Sequence, residues 1–406
     1  MAHRVVITGM GCVSGMGVGV EALWDGLMRA QSAITPTHLV AGQHQTTLPA
    51  VRVAGYCPLN HFTADELIMR DRYAQFAIVA AREAVQQAGL GCGEQTPGDT
   101  GVVLGSGGGG ELAREEAAVR MFYEGKIRCN PITVPKVNNQ ASVGLVSMEF
   151  GFTGPSFIVA TGCAAATHAM CQAYLLIQSG VLVRALTGGT EAPVMLSVFQ
   201  AFDAARVMSH TTCRPFSRDR DGMVIGEGGA VVVMEELQAA RARGANILAE
   251  VCGIGMSSDA SNTLYPTEAG PAQAITCALA MSRIHAEEVD YVNAHGTGTQ
   301  ANDRIETAAI RRALGHHADN ITVSSTKALH GHAFGGAGGI ELVATVLALQ
   351  HGVAPPTANY LGHDEGCDLD YAPNAPRERR IDMAIKQSFA FGGVNAVLAL
   401  RRDIRL

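Results

Sequence analysis

The chain alternates short apolar runs with longer segments whose apolar residues recur every three or four positions. Arg4 to Thr8 predicts a first strand, ending in a Gly9-Met10-Gly11 turn. Val20 to Ala30 and Asp71 to Ala88 predict helices; in the second, Tyr73, Phe76, Ala77, Ala80 and Ala84 share a face and Gly89 is the stop. Strands are predicted at Gly101 to Leu104, Phe157 to Ala160, Val183 to Thr187 and Ala230 to Glu235, with helices at Ala164 to Ser179 and Leu237 to Arg243. A second pass of the same kind begins with a strand at Ile247 to Ile254. It continues through helices at Ala272 to Arg283, Asp303 to Leu314 and Ala337 to His351, with strands at Tyr291 to Asn293 and Ile321 to Ser324 between them. Strands at Ala384 to Phe389 and Ala396 to Arg401 close the chain. Such alternation implies an α/β fold with mostly parallel sheets covered by helices. No low-complexity linker separates the passes, so both are expected in one body.

Composition narrows the functional classes. With 406 residues, 47% hydrophobic and 17% charged, the chain can bury a large core. A formal charge of −7 argues against nucleic acid as the main partner. No run approaches the ~18 apolar residues of a membrane span, and the start is too short in apolar residues for a signal peptide. The 10 cysteines are irregularly spaced with no CxxC pair, so neither a disulfide framework nor a zinc ribbon is expected and a reducing cytoplasm fits. Ser14 stands where a dinucleotide fingerprint needs its third glycine, and no acidic ribose partner follows. Gly105 to Gly110 lacks the Lys-Ser/Thr of a phosphate loop; it reads either as a flexible turn or as space cleared of side chains for a ligand.

The candidate chemistry centres on Cys163, at the turn between the strand ending near Ala160 and the helix from Ala164. Free N–H groups and the helix dipole there would lower a thiol's pKa and favour a nucleophile suited to accepting an acyl group. Core packing is the competing reading for any one cysteine. Three downstream segments weigh against it: Asn293-Ala294-His295-Gly296-Thr297-Gly298-Thr299, Ser325-Thr326-Lys327 through Gly331-His332, and Ser388-Phe389-Ala390-Phe391-Gly392-Gly393.

With these four motifs in this order, the chain resembles the β-ketoacyl-acyl-carrier-protein synthases of the thiolase superfamily, nearest the type II condensing enzymes. The likeness runs from Val5-Val6-Ile7-Thr8-Gly9 to Phe391-Gly392-Gly393-Val394-Asn395. It implies a thiolase-like fold of two duplicated halves in five layers, αβαβα, divided as residues 1–246 with the cysteine and 247–406 with the histidines and lysine. It implies a decarboxylative Claisen condensation in fatty-acid or polyketide synthesis, with Cys163 as nucleophile and His295 and His332 holding the enolate. Lys327 would support His332 with Glu306 as its ion-pair partner, and Phe391 would gate the cysteine. Gly108, Phe202 and Phe389 would line the substrate path, and Thr297 and Thr299 would hold the phosphopantetheine arm. Asp221 would be an inner-shell structural acid. The arm is carried by acyl carrier protein, so no separate cofactor and no catalytic metal are implied; a metal site from His330 and His332 lacks further ligands.

The resemblance also implies a dimer, with residues 131–146 reaching the partner's acyl pocket. Departures from the family pattern are Ala164-Ala165-Ala166 after the cysteine, Ala390 before the gate, and Leu264-Tyr265 in the pantetheine loop. Lys386-Gln387 stands in a region that, with Asn293 and Glu341, often lies near a bound monovalent cation; Lys386 offers an ammonium instead. These departures, with a sparse basic surface around 64–68, keep a second reading open: the catalytic subunit of a specialised polyketide or polyene ketosynthase, paired with a chain-length-factor subunit. A third reading, a non-catalytic partner subunit, is opposed by Cys163 and both histidines.

Overall fold

The computed structural model describes residues 3–91 and 97–403. Ten strands form the path of one mixed sheet: β1 (Val5–Ser14), β2 (Thr100–Gly105), β3 (Ser156–Val159), β4 (Arg184–Glu191), β5 (Gly228–Glu236), β6 (Ala249–Ser258), β7 (Tyr291–Asn293), β8 (Thr322–Ser324), β9 (Met383–Ala390) and β10 (Val394–Arg401). Their spatial order is β8-β7-β9-β10-β6-β1-β5-β4-β2-β3, and Gly17–Val18 pairs with β1 off this path. Five helices matter for the site: α1 (Arg72–Gln87), α2 (Ala165–Gln178), α3 (Ala269–Ser282), α4 (Gln300–Leu314) and α5 (Phe334–His351).

The two passes repeat each other. In the first, β3, β2 and β4 are parallel neighbours, followed by antiparallel β5 and β1. In the second, β8, β7 and β9 are parallel, followed by antiparallel β10 and β6. Val5–Ile7 of β1 pairs with Ala249–Val251 of β6, joining the halves. The sheet is therefore mixed rather than mostly parallel. Where strands follow each other without an intervening helix, as β9 and β10 do across Gly392 and Gly393, the short connection makes them antiparallel.

β1 does not turn at Gly9 and Gly11 but continues through both. The glycines serve packing: β-carbons there would strike the carbonyls of Ala84 and Ala80 on α1. The same relation recurs in the second half, where β-carbons at Gly253 and Gly255 would strike the carbonyls of Ala278 and Ala274 on α3. A bare backbone lets each helix sit against its strand.

These contacts produce five layers. α1 covers Val102, Leu104, Val231 and Val233 on one outer face. α3 and α4 cover Val292, Val323, Ile385 and Val397 on the other. Between the sheet halves lie α2 and α5, packed against Val103, Val232 and Met234 from one and Ala384, Ala396 and Leu398 from the other. Every residue of α5 from Phe334 to Leu349 is buried, so the helix has no polar face. It also begins three residues before the Ala337 predicted from pattern, because Gly335 and Gly336 are tolerated where neighbours enclose the helix.

Candidate active site

β3 leads into a single tight turn, Gly162–Ala164, and α2 starts at Ala165. Gly162 has φ 57°, in the left-handed region that glycine occupies without strain. Cys163 thus sits at the inner end of α2, where it lines two cavities. One, of 560 Å³, is shared with Phe202, His295, Thr297, Thr299, His332, Phe389 and Phe391. The other, of 440 Å³, is shared with Gly108, Glu111, Glu191, Phe202, Phe334 and Phe391. Burial pushes the Cys163 thiol up to about 12, with the charge of Lys327 opposing it. The helix start therefore does not leave a resting thiolate, as position alone implied; desolvation outweighs it.

His295 follows β7 and is held from behind. Glu306 on α4 accepts from the His295 N–H at 2.6 Å and the Gly296 N–H at 2.7 Å. Its oxygens also accept from Gln387 at 2.6 Å and Asn302 at 3.1 Å. With four N–H donors in place, Glu306 is not the partner of Lys327. Lys327 pairs instead with Glu341 of α5, and donates to the His295 carbonyl at 2.6 Å. The lysine nitrogen also lies 3.4 Å from His295 Nδ1. An ammonium donating there leaves the neutral ring's proton on Nε2.

His332 is fixed through its backbone, donating to Val224 O and accepting from Gly226 N, while neither ring nitrogen has a hydrogen-bond partner. Its ring meets that of His295 edge-on, with centroids 5.5 Å apart. Burial, then the charge of Lys327, hold both rings well below the usual histidine range, so both are neutral imidazoles. His330 differs: its ring bonds Thr326 Oγ1 at 2.9 Å, and it lines neither cavity.

An aromatic path runs between the cavities. Phe391, 45% exposed, faces Phe202, which stacks on Phe334 at 4.6 Å between centroids; Phe334 lies 5.1 Å from His332. Phe389 is buried against His295. The gate turn is tied to the 262–266 loop by a bond from Gly392 N to Thr263 O, so Leu264 and Tyr265 flank the cavity mouth. Thr297 and Thr299 bond each other through their hydroxyls at 2.9 Å. Asp221, expected in an inner shell, is exposed at the mouth. The volume at Gly108 is not open either: the Glu111 carboxyl occupies the place of a β-carbon.

Residues 2–240 match the β-ketoacyl synthase N-terminal domain and residues 248–361 the C-terminal domain. The chain belongs to the β-ketoacyl synthase family. Among the curated relatives, Nodulation protein E of Rhizobium sp. (strain N33) is 43% identical, covering 99% of this chain and 100% of that protein. The 3-oxoacyl-[acyl-carrier-protein] synthase 2 of a Synechocystis species is 38% identical, covering 98% of each. Among solved structures, the ishigamide ketosynthase/chain length factor superposes with a TM-score of 0.93 at 32% identity, covering 100% of both chains. The fold is accordingly thiolase-like, and the synthase is an acyltransferase.

Sequence reasoning overlooked three residues of this synthase's cavities. Glu191 accepts hydrogen bonds from the backbone N–H groups of Gly107, Gly108 and Gly109 and from Ser106, which orders the glycine run rather than leaving it flexible. A lone carboxylate at the end of a strand with no other acid was the available signal. Phe334 sits at φ 37°, rare outside glycine, between Phe202 and His332. Its place two residues after His332 marked it. Glu111 carried no signal beyond its position after the glycines.

Proposed function

We propose that the synthase performs a decarboxylative Claisen condensation between an acyl chain on Cys163 and malonyl-acyl carrier protein, giving 3-oxoacyl-acyl carrier protein. The observation that carries this reading is the buried His332 ring, unbonded at both nitrogens, in the cavity that Cys163 and His295 also line. Such a polar group is costly to bury unless a ligand completes it. Cys163 Sγ attacks the acyl thioester, the carrier thiol departs, and the cysteine's proton passes to it. Malonyl thioester then loses carbon dioxide, and the negative charge on its carbonyl oxygen is met by N–H donors of His295 and His332 in a site shielded from water. The enolate carbon bonds the acyl carbon, and Cys163 leaves as thiolate. Backbone N–H groups of Cys163 and Phe391 hold the oxyanion of each acyl-transfer step. Thr297 and Thr299 receive the phosphopantetheine arm, and Phe391 gates access.

Intact-mass analysis tests the assignment. Wild type incubated with acylated carrier protein should gain the acyl mass, and Cys163→Ala should not. Full loading of the alanine variant would overturn it.

A specialised polyketide or polyene pathway is favoured by the carboxyl of Glu111 in the 440 Å³ cavity beside Cys163 and by the likeness to the ishigamide ketosynthase/chain length factor. A homodimer or a heterodimer with a homologous chain-length subunit would form at the β3 edge, where Phe122, Val134, Met148 and Phe157 are exposed. Co-expression with a candidate partner, followed by light scattering, separates the two. No helix among the described residues is long and apolar enough to cross a membrane, and the nine described cysteines are all free, as a reducing cytoplasm would have them.

A further inference from the structure

The resemblance places a monovalent cation near Asn293 and Glu341 in many family members, and the residues here do not suit one. Lys386, on β9, is fully buried with its ammonium directed into that region. Its Nζ donates to Thr167 Oγ1 at 2.6 Å and to Ser388 Oγ, and lies 3.1 Å from Glu341 Oε2. Gly338 of α5 leaves room for this head group: a β-carbon there would stand 3.0 Å from Nζ. Glu341 thus holds Lys327 on one oxygen and Lys386 on the other. A metal ion on the same carboxylate oxygen would have to share it with a positive charge, with both Lys386 and Glu341 fully buried and so little screened from it.

We propose that Lys386 is a built-in cation that replaces a monovalent metal ion, so that this site assembles without potassium or sodium. Lys386 is a positioning residue. Through Glu341 it acts on Lys327, which touches His295; through Thr167 it anchors the first turn of α2 behind Cys163. Both routes converge on the groups that carry the proposed condensation, and the inference rests on that reading for its catalytic part. Burial works to lower the charge on Lys386, bringing its pKa to about 8, and Glu341 opposes that change.

The test compares wild type, Lys386→Ser and Lys386→Met in potassium, sodium or choline chloride at one ionic strength. Thermal unfolding and malonyl-carrier-protein decarboxylation are both read. Wild type should give the same Tm and rate in all three salts. Lys386→Ser leaves the Thr167, Ser388 and Glu341 oxygens around a vacated space and adds a hydroxyl of its own; in choline it should lose about 10–100-fold in decarboxylation, as loss of supporting partners does, and potassium or sodium should restore both rate and Tm saturably. Lys386→Met should lose the same activity with no response to either ion. A wild type whose Tm or rate rises with potassium or sodium over choline overturns the proposal, and that measurement needs no variant to fold. So does a serine variant indifferent to the ions, or a methionine variant as active as wild type. If wild type decarboxylates nothing in any salt, the condensing reading fails, while the Tm series still reports on Lys386.

Discussion

The carboxyl of Glu111 lies directly over Gly108, in the space that a β-carbon at 108 would take, and both line the cavity beside Cys163. The glycine is what allows the acid to fold into the cavity, and burial raises the pKa of that acid. Gly108→Ile should displace Glu111 and fill the cavity from the same side. The longest acyl group loaded onto Cys163 should then shorten while the shortest stay nearly unaffected, since pocket discrimination runs at ~1–3 kcal/mol per methylene. Intact-mass profiles across acyl lengths read this directly. An equal loss at every length would assign the effect to the backbone of the glycine run.

His295→Ala and His332→Ala should each slow malonyl decarboxylation by about 10²–10³, the usual loss for one oxyanion donor. Acyl loading of Cys163 should fall much less, because the enolate forms only in the second step. Single-turnover measurements separate the two. Slow loading with normal decarboxylation would reverse the roles.

Glu306→Ala should act through His295. It removes the acceptor for the His295 and Gly296 N–H groups and for the Gln387 and Asn302 amides, leaving these donors unsatisfied, three of them in buried bonds. Each such group costs about 1–3 kcal/mol, so a lowered Tm should accompany a fall in decarboxylation. Glu306→Gln keeps an acceptor oxygen and should recover part of both. A Glu306→Ala variant with wild-type Tm and rate would show that the grip on the loop is dispensable.

The histidine pair makes stability depend on pH with a definite sign. Both folded pKa values lie well below the ordinary value near 6.5, first because of burial. Above about pH 6.5 the rings are neutral folded or unfolded, and stability is unaffected. As pH falls below that value, only the unfolded chain takes up these protons, so stability is lost. Removing one ring removes its share: the stability of wild type relative to His332→Asn should decline on acidification by up to ~1.4 kcal/mol per pH unit. Urea unfolding of both proteins from pH 7 to 5 measures the difference, and a flat difference would mean that the folded ring titrates normally.

Apolar periodicity and short motifs are local properties, so the ten strands of the sheet path and the four motifs were legible in the chain, whereas the helices Glu111–Phe122, Ala141–Phe150 and Leu196–Ala204 and the hairpin of Thr35–Ala41 with His44–Ala50 were not. Helix α1 and strands β7 and β8 could be read almost to the residue. Pairings across the sheet could not. Whether Gly9 turns the chain or lets Ala84 approach depends on a helix more than 60 residues away in sequence. Choosing Glu341 over Glu306 for Lys327 required knowing that Glu306 was already engaged by the His295 loop. The Cys163 thiol likewise rests protonated because of what encloses it, although its own turn favours the anion. Desolvation and the competition of donors for one acceptor are set by neighbours brought together in space, and no single stretch of the chain carries them.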